Sequence, residues 1–436
     1  MRKTILLTLA LFTSTASISF AANPNVMDIK TSITDDAIVF PESFEQDTQK
    51  LLEGWYMRNY TATDKSYSSK KDVETSDEVI KSRLASMPTV IEMPFNSIVR
   101  QYIDRYTKNG RPQVAAILGL GIYYMPIFEQ ALEEQGLPQE LKYLPVIESA
   151  LDPNAVSKSG AAGLWQLMLA TGKGLGLECN SIVDERRDPY ASSKAAAQLL
   201  KQLYDTYGDW SLAIAAYNCG PSTVNKAIRR AGIDTSKADF WSIYPYLPEQ
   251  TRGYVPMFIA ANYVMTYYPL HNINPVLPTK PLVTDTVGVT DRMHFDQISA
   301  VLGIPKDEIR ILNPQYREDV IPGNPDRAYM LALPSKQIHA YLMSHDQILA
   351  YQAAKYGRRV TAEPGVASNP VTEDVASNEI AGEEPIQTQL PAGSPTTVSH
   401  KVASGETLTS IASKYGVQAA DIRTANNLRR NAVRVG

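Results

Sequence analysis

The sequence predicts a mainly α-helical protein with small βααβ units toward its C-terminus. Between residues 96 and 275, apolar side chains recur at three- and four-residue spacing. No strand-like alternation interrupts that stretch. A strand–helix–helix–strand pattern then occupies residues 280–345, and its first half returns in residues 397–436.

Each element follows from local pattern. A helix begins around Val99-Arg100-Gln101-Tyr102-Ile103. Tyr123-Tyr124, Ile127-Phe128 and Ala131-Leu132 share one face of the next, which Gly136 stops. Asp188-Pro189 opens another, which runs through Ala195, Leu199 and Leu203 to Tyr207 and ends at Gly208. Trp210 to Tyr217 is short and apolar, ended by Asn218 and Gly220-Pro221. Tyr254 to Tyr268 is the last helix of this region. After His271 the texture changes. Val283 to Val287 alternates like a strand, Phe295 to Leu302 and Lys306 to Leu312 read as short helices, and Tyr329 to Pro334 closes the unit.

Ile298, Gly303, Ile309-Arg310 and Asn313 return as Ile411, Gly416, Ile422-Arg423 and Asn426. The offset is constant across helix, turn and helix, which argues for an internal repeat. The second copy's counterpart of Tyr329 would fall beyond Gly436, so either the module at 397–436 is truncated or the sequence is a fragment. Residues 357–396 hold no Phe, Trp or Tyr. They cannot bury a core and are expected to form a flexible linker, with a reach on the order of 35 Å.

Arg2-Lys3, the apolar run from Ile5 to Phe12 and Ser19-Phe20-Ala21 have the form of a signal peptide over residues 1–21, the rival being an uncleaved anchor. No Cys at the cleavage site would take a lipid, and no later stretch approaches about 18 uninterrupted apolar residues. The expectation is an exported, soluble chain without a transmembrane anchor after cleavage, in the periplasm or cell envelope. Residues 22–95 form an N-terminal extension of mixed character, in which Thr61 to Asp77 is polar and reads as surface or a flexible segment. A net charge of -4 without a Lys/Arg run gives no reason to expect nucleic acid. Cys179 and Cys219 could pair in an oxidising compartment or remain two thiols. Five His and two Cys form no ligand-spaced cluster, so neither a metal nor another cofactor is expected.

One acid stands out. Glu148 ends the apolar stretch Leu141 to Ile147, where partial desolvation would raise its pKa and let it keep a proton near neutral pH. Most Glu residues on apolar helices are instead paired or reach solvent. Here Ser149 adds a hydroxyl. Gly160, Ala161-Ala162 and Gly163 permit close backbone approach. Gln166 brings an amide with donor and acceptor ends, and Tyr217-Asn218 sit at a helix end.

At these residues the chain resembles the family 1 lytic transglycosylases (SLT domain), which have a goose-lysozyme-like fold. The motifs are Glu148-Ser149, Ala155-Val156-Ser157 with Gly160 to Met168, Ala216-Tyr217-Asn218-Cys219-Gly220, and Thr251-Arg252-Gly253-Tyr254-Val255. The resemblance covers residues 96–275 and implies a lysozyme-like α-helical catalytic domain that acts on peptidoglycan glycan strands. Glu148 would protonate the bond between N-acetylmuramic acid and N-acetylglucosamine. It would then take the proton from the muramyl C6 hydroxyl, leaving a 1,6-anhydro end. A hydrolase would normally want two carboxylates, and the motifs supply one. The resemblance also implies that Ser149, Gln166, Tyr217 and Asn218 line the glycan cleft. Tyr254 either orients Glu148 or the saccharide, or packs in the core; Trp165 packs beneath the cleft. Two departures stand out: Leu169 where the family has Pro, and Gln250 where it has Glu. Ser404 to Leu408 with Ile411-Ala412 is similar to a LysM module, a family that binds polymers containing N-acetylglucosamine. Residues 283–334 resemble a diverged copy in which Thr290 to Met293 replaces the usual opening. A hydrolytic muramidase on the same fold and a non-catalytic wall-binding protein are the alternatives.

Overall fold

The structure, a computed structural model, describes residues 26–40, 43, 61–62, 72–278, 283–357, 407–408, 411–412 and 422. The expected signal peptide, the linker beyond Gly357 and most of the last module lie outside the described residues. The chain divides into two compact units, residues 1–369 and 370–436. In the second, the Ile411 amide donates to the Thr407 carbonyl at 3.0 Å, and Leu408, Ile411 and Ala412 are buried, as one apolar helical turn would be.

The first unit is built around the helix Arg111–Glu134, which is apolar along most of its length. By length and composition alone this helix could cross a membrane. Its apolar faces are instead taken up by neighbours, chiefly the helix Pro189–Tyr207. The latter starts and stops where its sequence says. The Asp188 carboxylate accepts from the Tyr190 and Ala191 amides, Pro189 occupies the first turn, and Gly208 ends the helix at φ 65°. Trp210–Cys219 packs beside it. Glu249–Tyr267 crosses Ser97–Asp104, Trp210–Cys219 and the short helix Leu144–Ser149, so one long helix ties three others together.

Glu249–Tyr267 begins five residues before the expected Tyr254. Its first turn, Glu249-Gln250-Thr251-Arg252, is polar and hides the start. Those side chains serve tertiary partners: Thr251 donates to Asn218, and Arg252 pairs with Asp35 at 3.0 Å. The N-terminal extension contributes the helices Val26–Ser32 and Asp77–Ala85, and Thr61–Ala62 pairs antiparallel with Leu277–Pro278. Cys179 is buried and Cys219 half-buried, and both are free thiols.

The βααβ unit has its expected order. Thr284–Val289 pairs antiparallel with Tyr329–Pro334 around the helices Phe295–Leu302 and Lys306–Leu312. A two-residue ladder between Met293–His294 and Val320–Ile321, and the helices Ser335–Met343, His345–Ala350 and Ala353–Tyr356, are not legible in its sequence. The unit is also not a bead on a string. Ile182 and Val183, from a loop of the helical part, are buried in its core among Phe295, Ile309 and Leu331. The same loop exchanges backbone hydrogen bonds with it: Asp184 N–H to Gln315 O at 2.9 Å and Arg317 N–H to Ile182 O at 2.8 Å. Arg327 grips Glu178 and Glu185 from the other side. Ile182→Ala should therefore cost about 2–4 kcal/mol, and both parts should melt together in one calorimetric transition.

Candidate active site

Glu148 lies in the last turn of Leu144–Ser149, which follows a 3-10 turn at Gln139–Tyr143. Ala150 and Leu151 then take φ of 50° and 63°. Two successive non-glycine residues in the left-handed region are costly and persist only where surrounding packing holds them. Here both are fully buried. The reversal ends the helix directly after Glu148 and Ser149, and turns the chain into the loop that carries Ala155 to Met168.

The Tyr254 hydroxyl donates to Glu148 Oε1. Burial pushes the Glu148 carboxyl up to about 7, against the opposing pull of that hydrogen bond. Tyr217 also lines the cleft, and its hydroxyl donates to the Trp165 carbonyl at 2.7 Å. Burial holds both phenols well above their ordinary range, and the Glu148 charge adds to the effect. Both therefore stay protonated donors. Gly253 lets the helix carrying Tyr254 pack closely: a Cβ there would meet the Tyr102 hydroxyl at 2.2 Å.

The facing wall is the loop. Gln166, at φ 46°, donates from Nε2 to the Ala155 and Gly163 carbonyls at 3.1 and 2.8 Å, which commits its donor end to the loop. Gly163 has φ 83°, and a Cβ would fall 1.8 Å from the Arg186 carbonyl oxygen, so only glycine fits. Arg186 clamps the loop from behind. Its Nη1 donates to Gly160 O and Leu167 O while Asp184 holds the rest of the guanidinium. Asn218 accepts from Thr251 Oγ1 at 3.1 Å.

Glu148, Gln166, Tyr217, Asn218 and Tyr254 thus meet in one cleft. Ser149 does not join them. It is fully buried, and its hydroxyl donates to Leu164 O at 2.8 Å, with Pro145 O 3.1 Å away, pinning the helix to the loop behind the cleft. The helical turn is the reason: a residue next to the inward-facing acid points about 100° away. Trp165 is buried against Phe128 and donates to Ser193. The contribution of Arg186 has no local signature, since its partners lie 19 and 26 residues away. Among the described residues lining the cleft, Glu148 is the only carboxylate. Asp184 is paired with Arg186, and Glu185 with Arg327.

Residues 125–240 match the Transglycosylase SLT domain family, residues 283–350 the Lytic transglycosylase MltD, LysM-like domain, and residues 400–436 the LysM domain. The chain is 30% identical over 351 residues to Membrane-bound lytic murein transglycosylase D of Escherichia coli strain K12, an alignment covering 79% of this chain and 68% of that one. The chain belongs to the lytic murein transglycosylase D family. Similarity to Membrane-bound lytic murein transglycosylase F of Yersinia pestis is 32% over 161 residues, 32% of each chain. The solved 70 kDa soluble lytic transglycosylase of Escherichia coli aligns at 21% identity over 41% of this chain and 31% of that one, with a TM-score of 0.29. Both LysM-type matches of this lytic transglycosylase fall where its sequence repeats.

The raised Glu148 pKa has a stability consequence with a definite sign. Below the ordinary carboxylate range both folded and unfolded chains hold the proton. From there up to about 7 the unfolded chain releases it and the folded chain keeps it, so this group's contribution to stability falls as pH rises. Glu148→Gln removes that loss. Relative to the parent it should gain roughly 3 kcal/mol above pH 7 and little near pH 4, read from denaturant melts at the two pH values.

Proposed function

We propose that this lytic murein transglycosylase cleaves the β-1,4 bond between N-acetylmuramic acid and N-acetylglucosamine in peptidoglycan glycan strands, with Glu148 acting first as acid and then as base. The observation that carries the reading is a cleft carboxyl, the only one among the described lining residues, desolvated to a pKa near neutrality and fixed by a tyrosine hydroxyl.

In the first step Glu148 gives its proton to the glycosidic oxygen. The bond to the muramyl C1 breaks and positive charge develops at the ring, with the 2-acetamido group of the substrate able to share it. In the second step the ionised Glu148 takes the proton of the muramyl C6 hydroxyl, whose oxygen attacks C1. The products are a 1,6-anhydromuramyl end and a free N-acetylglucosamine 4-hydroxyl, and no water is consumed. Glu148 ends as it began. Two-carboxylate hydrolysis would want a second acid across the cleft, and Glu148 has none among the described lining residues. The Tyr254 hydroxyl supports the reading because it donates throughout: it holds the neutral carboxyl in place and stabilises the carboxylate that forms. Gln166, Asn218 and Tyr217 are the proposed sugar-contacting groups. The two LysM-type modules would hold the glycan polymer, and export by the N-terminal signal would place the enzyme in the periplasm or cell envelope.

Mass spectrometry of products from purified peptidoglycan should give anhydromuramyl ends; reducing muramic ends would assign a muramidase instead. Glu148→Gln should lower turnover by about 10³-fold or more, general acid–base chemistry being worth 10²–10⁴, with folding and glycan pelleting kept. In the parent, kcat/KM should fall as pH rises through about 7, because the first step needs the protonated acid. Tyr254→Phe removes the hydrogen bond that lowers the Glu148 pKa, so this alkaline limb should move to higher pH; an unmoved limb would argue that Tyr254 only packs.

A chain cut after residue 356 should keep its turnover on short soluble glycans and lose retention on intact sacculi, measured by co-sedimentation. Equal sedimentation of the two forms would sink the role given to the last module.

A further inference from the structure

Residues 30–40 and Ser43 lie outside the SLT match, yet Val39, Phe40 and Ser43 line the cleft, and side chains of the helical part hold this stretch. Asn96 Nδ2 donates to Lys30 O at 3.0 Å, Ser97 Oγ to Ile33 O at 3.0 Å, and Tyr102 Oη to Val39 O at 2.8 Å. The Asp35 carboxylate takes the Tyr244 hydroxyl at 2.9 Å and the Arg252 guanidinium at 3.0 Å. At its far end Ser43 is buried. Gln113 donates to its carbonyl, and its hydroxyl donates to Ile147 O at 2.6 Å, a carbonyl in the last turn of the helix that holds Glu148. Residues 30–40 and Ser43 are thus held to the helical part by several separate hydrogen bonds and one ion pair.

This strap presents Phe40 to the cleft. Phe40 lines the same space as Glu148 and is 37% exposed, although its neighbours Tyr102 and Arg105 hold it in place: Tyr102 edge-on with centroids 5.3 Å apart, Arg105 over the ring at 5.5 Å. Val156 and Met168, from the loop, are also exposed and line the cleft. Fixed, solvent-facing apolar surface inside a cleft with polar Gln166, Asn218 and Gln250 suits a ligand that is polar at its edge and apolar on its face. A pyranose ring has that form: hydroxyls around its rim and C–H bonds on its faces, which pack against an aromatic ring.

We infer that Phe40 is a sugar-contacting residue that fixes the register of the glycan in the cleft, and that the N-terminal strap is a working part of the active site. This rests on the glycan-cleaving reading above. The test is a titration of the full-length chain with a tetrasaccharide of alternating N-acetylglucosamine and N-acetylmuramic acid, alongside steady-state kinetics. Phe40→Ala should weaken binding and raise KM about tenfold while kcat and the melting temperature hold, and Phe40→Tyr or Phe40→Trp should restore most of the affinity. Binding in a Glu148→Gln background should show the same Phe40→Ala loss. Unchanged binding and KM in Phe40→Ala would overturn the inference. So would a loss that the aromatic variants fail to rescue and that follows a lowered melting temperature, since Phe40 would then be structural. Turnover surviving in Glu148→Gln would count against the proposed chemistry alone, leaving Phe40 to be judged by the binding series.

Discussion

A carboxylic acid on a helix of one and a half turns is poorly fixed by that helix alone. The rest of the site exists to hold it. Glu148 is kept by the hydroxyl of Tyr254, which comes from a helix more than a hundred residues away. That one hydrogen bond fixes the direction of the acid, while desolvation is the larger influence on its proton affinity. Burial raises the pKa and the hydrogen bond lowers it, and the balance falls at about 7. The long helix Glu249–Tyr267 is placed to deliver Tyr254, its glycine at 253 lets it close on Tyr102, and its polar first turn fastens Asn218 and the N-terminal strap.

The loop opposite obeys a second constraint. It must be rigid without secondary structure of its own. Arg186 supplies the rigidity through two loop carbonyls, Gly163 allows the backbone behind the loop to come within contact distance, and the buried Ser149 hydroxyl joins the helix Leu144–Ser149 to Leu164. The residues around Arg186, from Glu178 to Glu185, also carry the LysM-like unit, whose core contains Ile182 and Val183. Packing of that unit and shape of the cleft wall therefore share one stretch of chain. A charge cluster, Arg327 with Glu178 and Glu185, closes the same junction.

The helices are legible wherever caps and periodicity agree. Asp188-Pro189 and Gly208 bracket their helix as local rules require, and the βααβ order follows from short local patterns. The departure at position 250 is legible too: Gln250 stands where the resembled family carries Glu, and its side chain still lines the cleft. What escapes is non-local. The start of Glu249–Tyr267 is masked because its polar turn is satisfied by tertiary partners. Ser149, which the family resemblance implies is a cleft residue, is turned away by the helix and buried.

The helical class and the repeat are local properties, written in caps, apolar spacing and a constant offset, while the resemblance to a known family is what pointed to Gln166, Tyr217, Asn218 and Tyr254 beside Glu148. That Ser149 is a brace, that Arg186 clamps the loop and that the LysM-like unit shares its core with the helical part emerge in the fold alone. It alone also brought the N-terminal strap to the cleft. These depend on atoms brought together across tens to hundreds of residues, where hydrogen-bond geometry and burial select the partner and no spacing rule in the chain announces it.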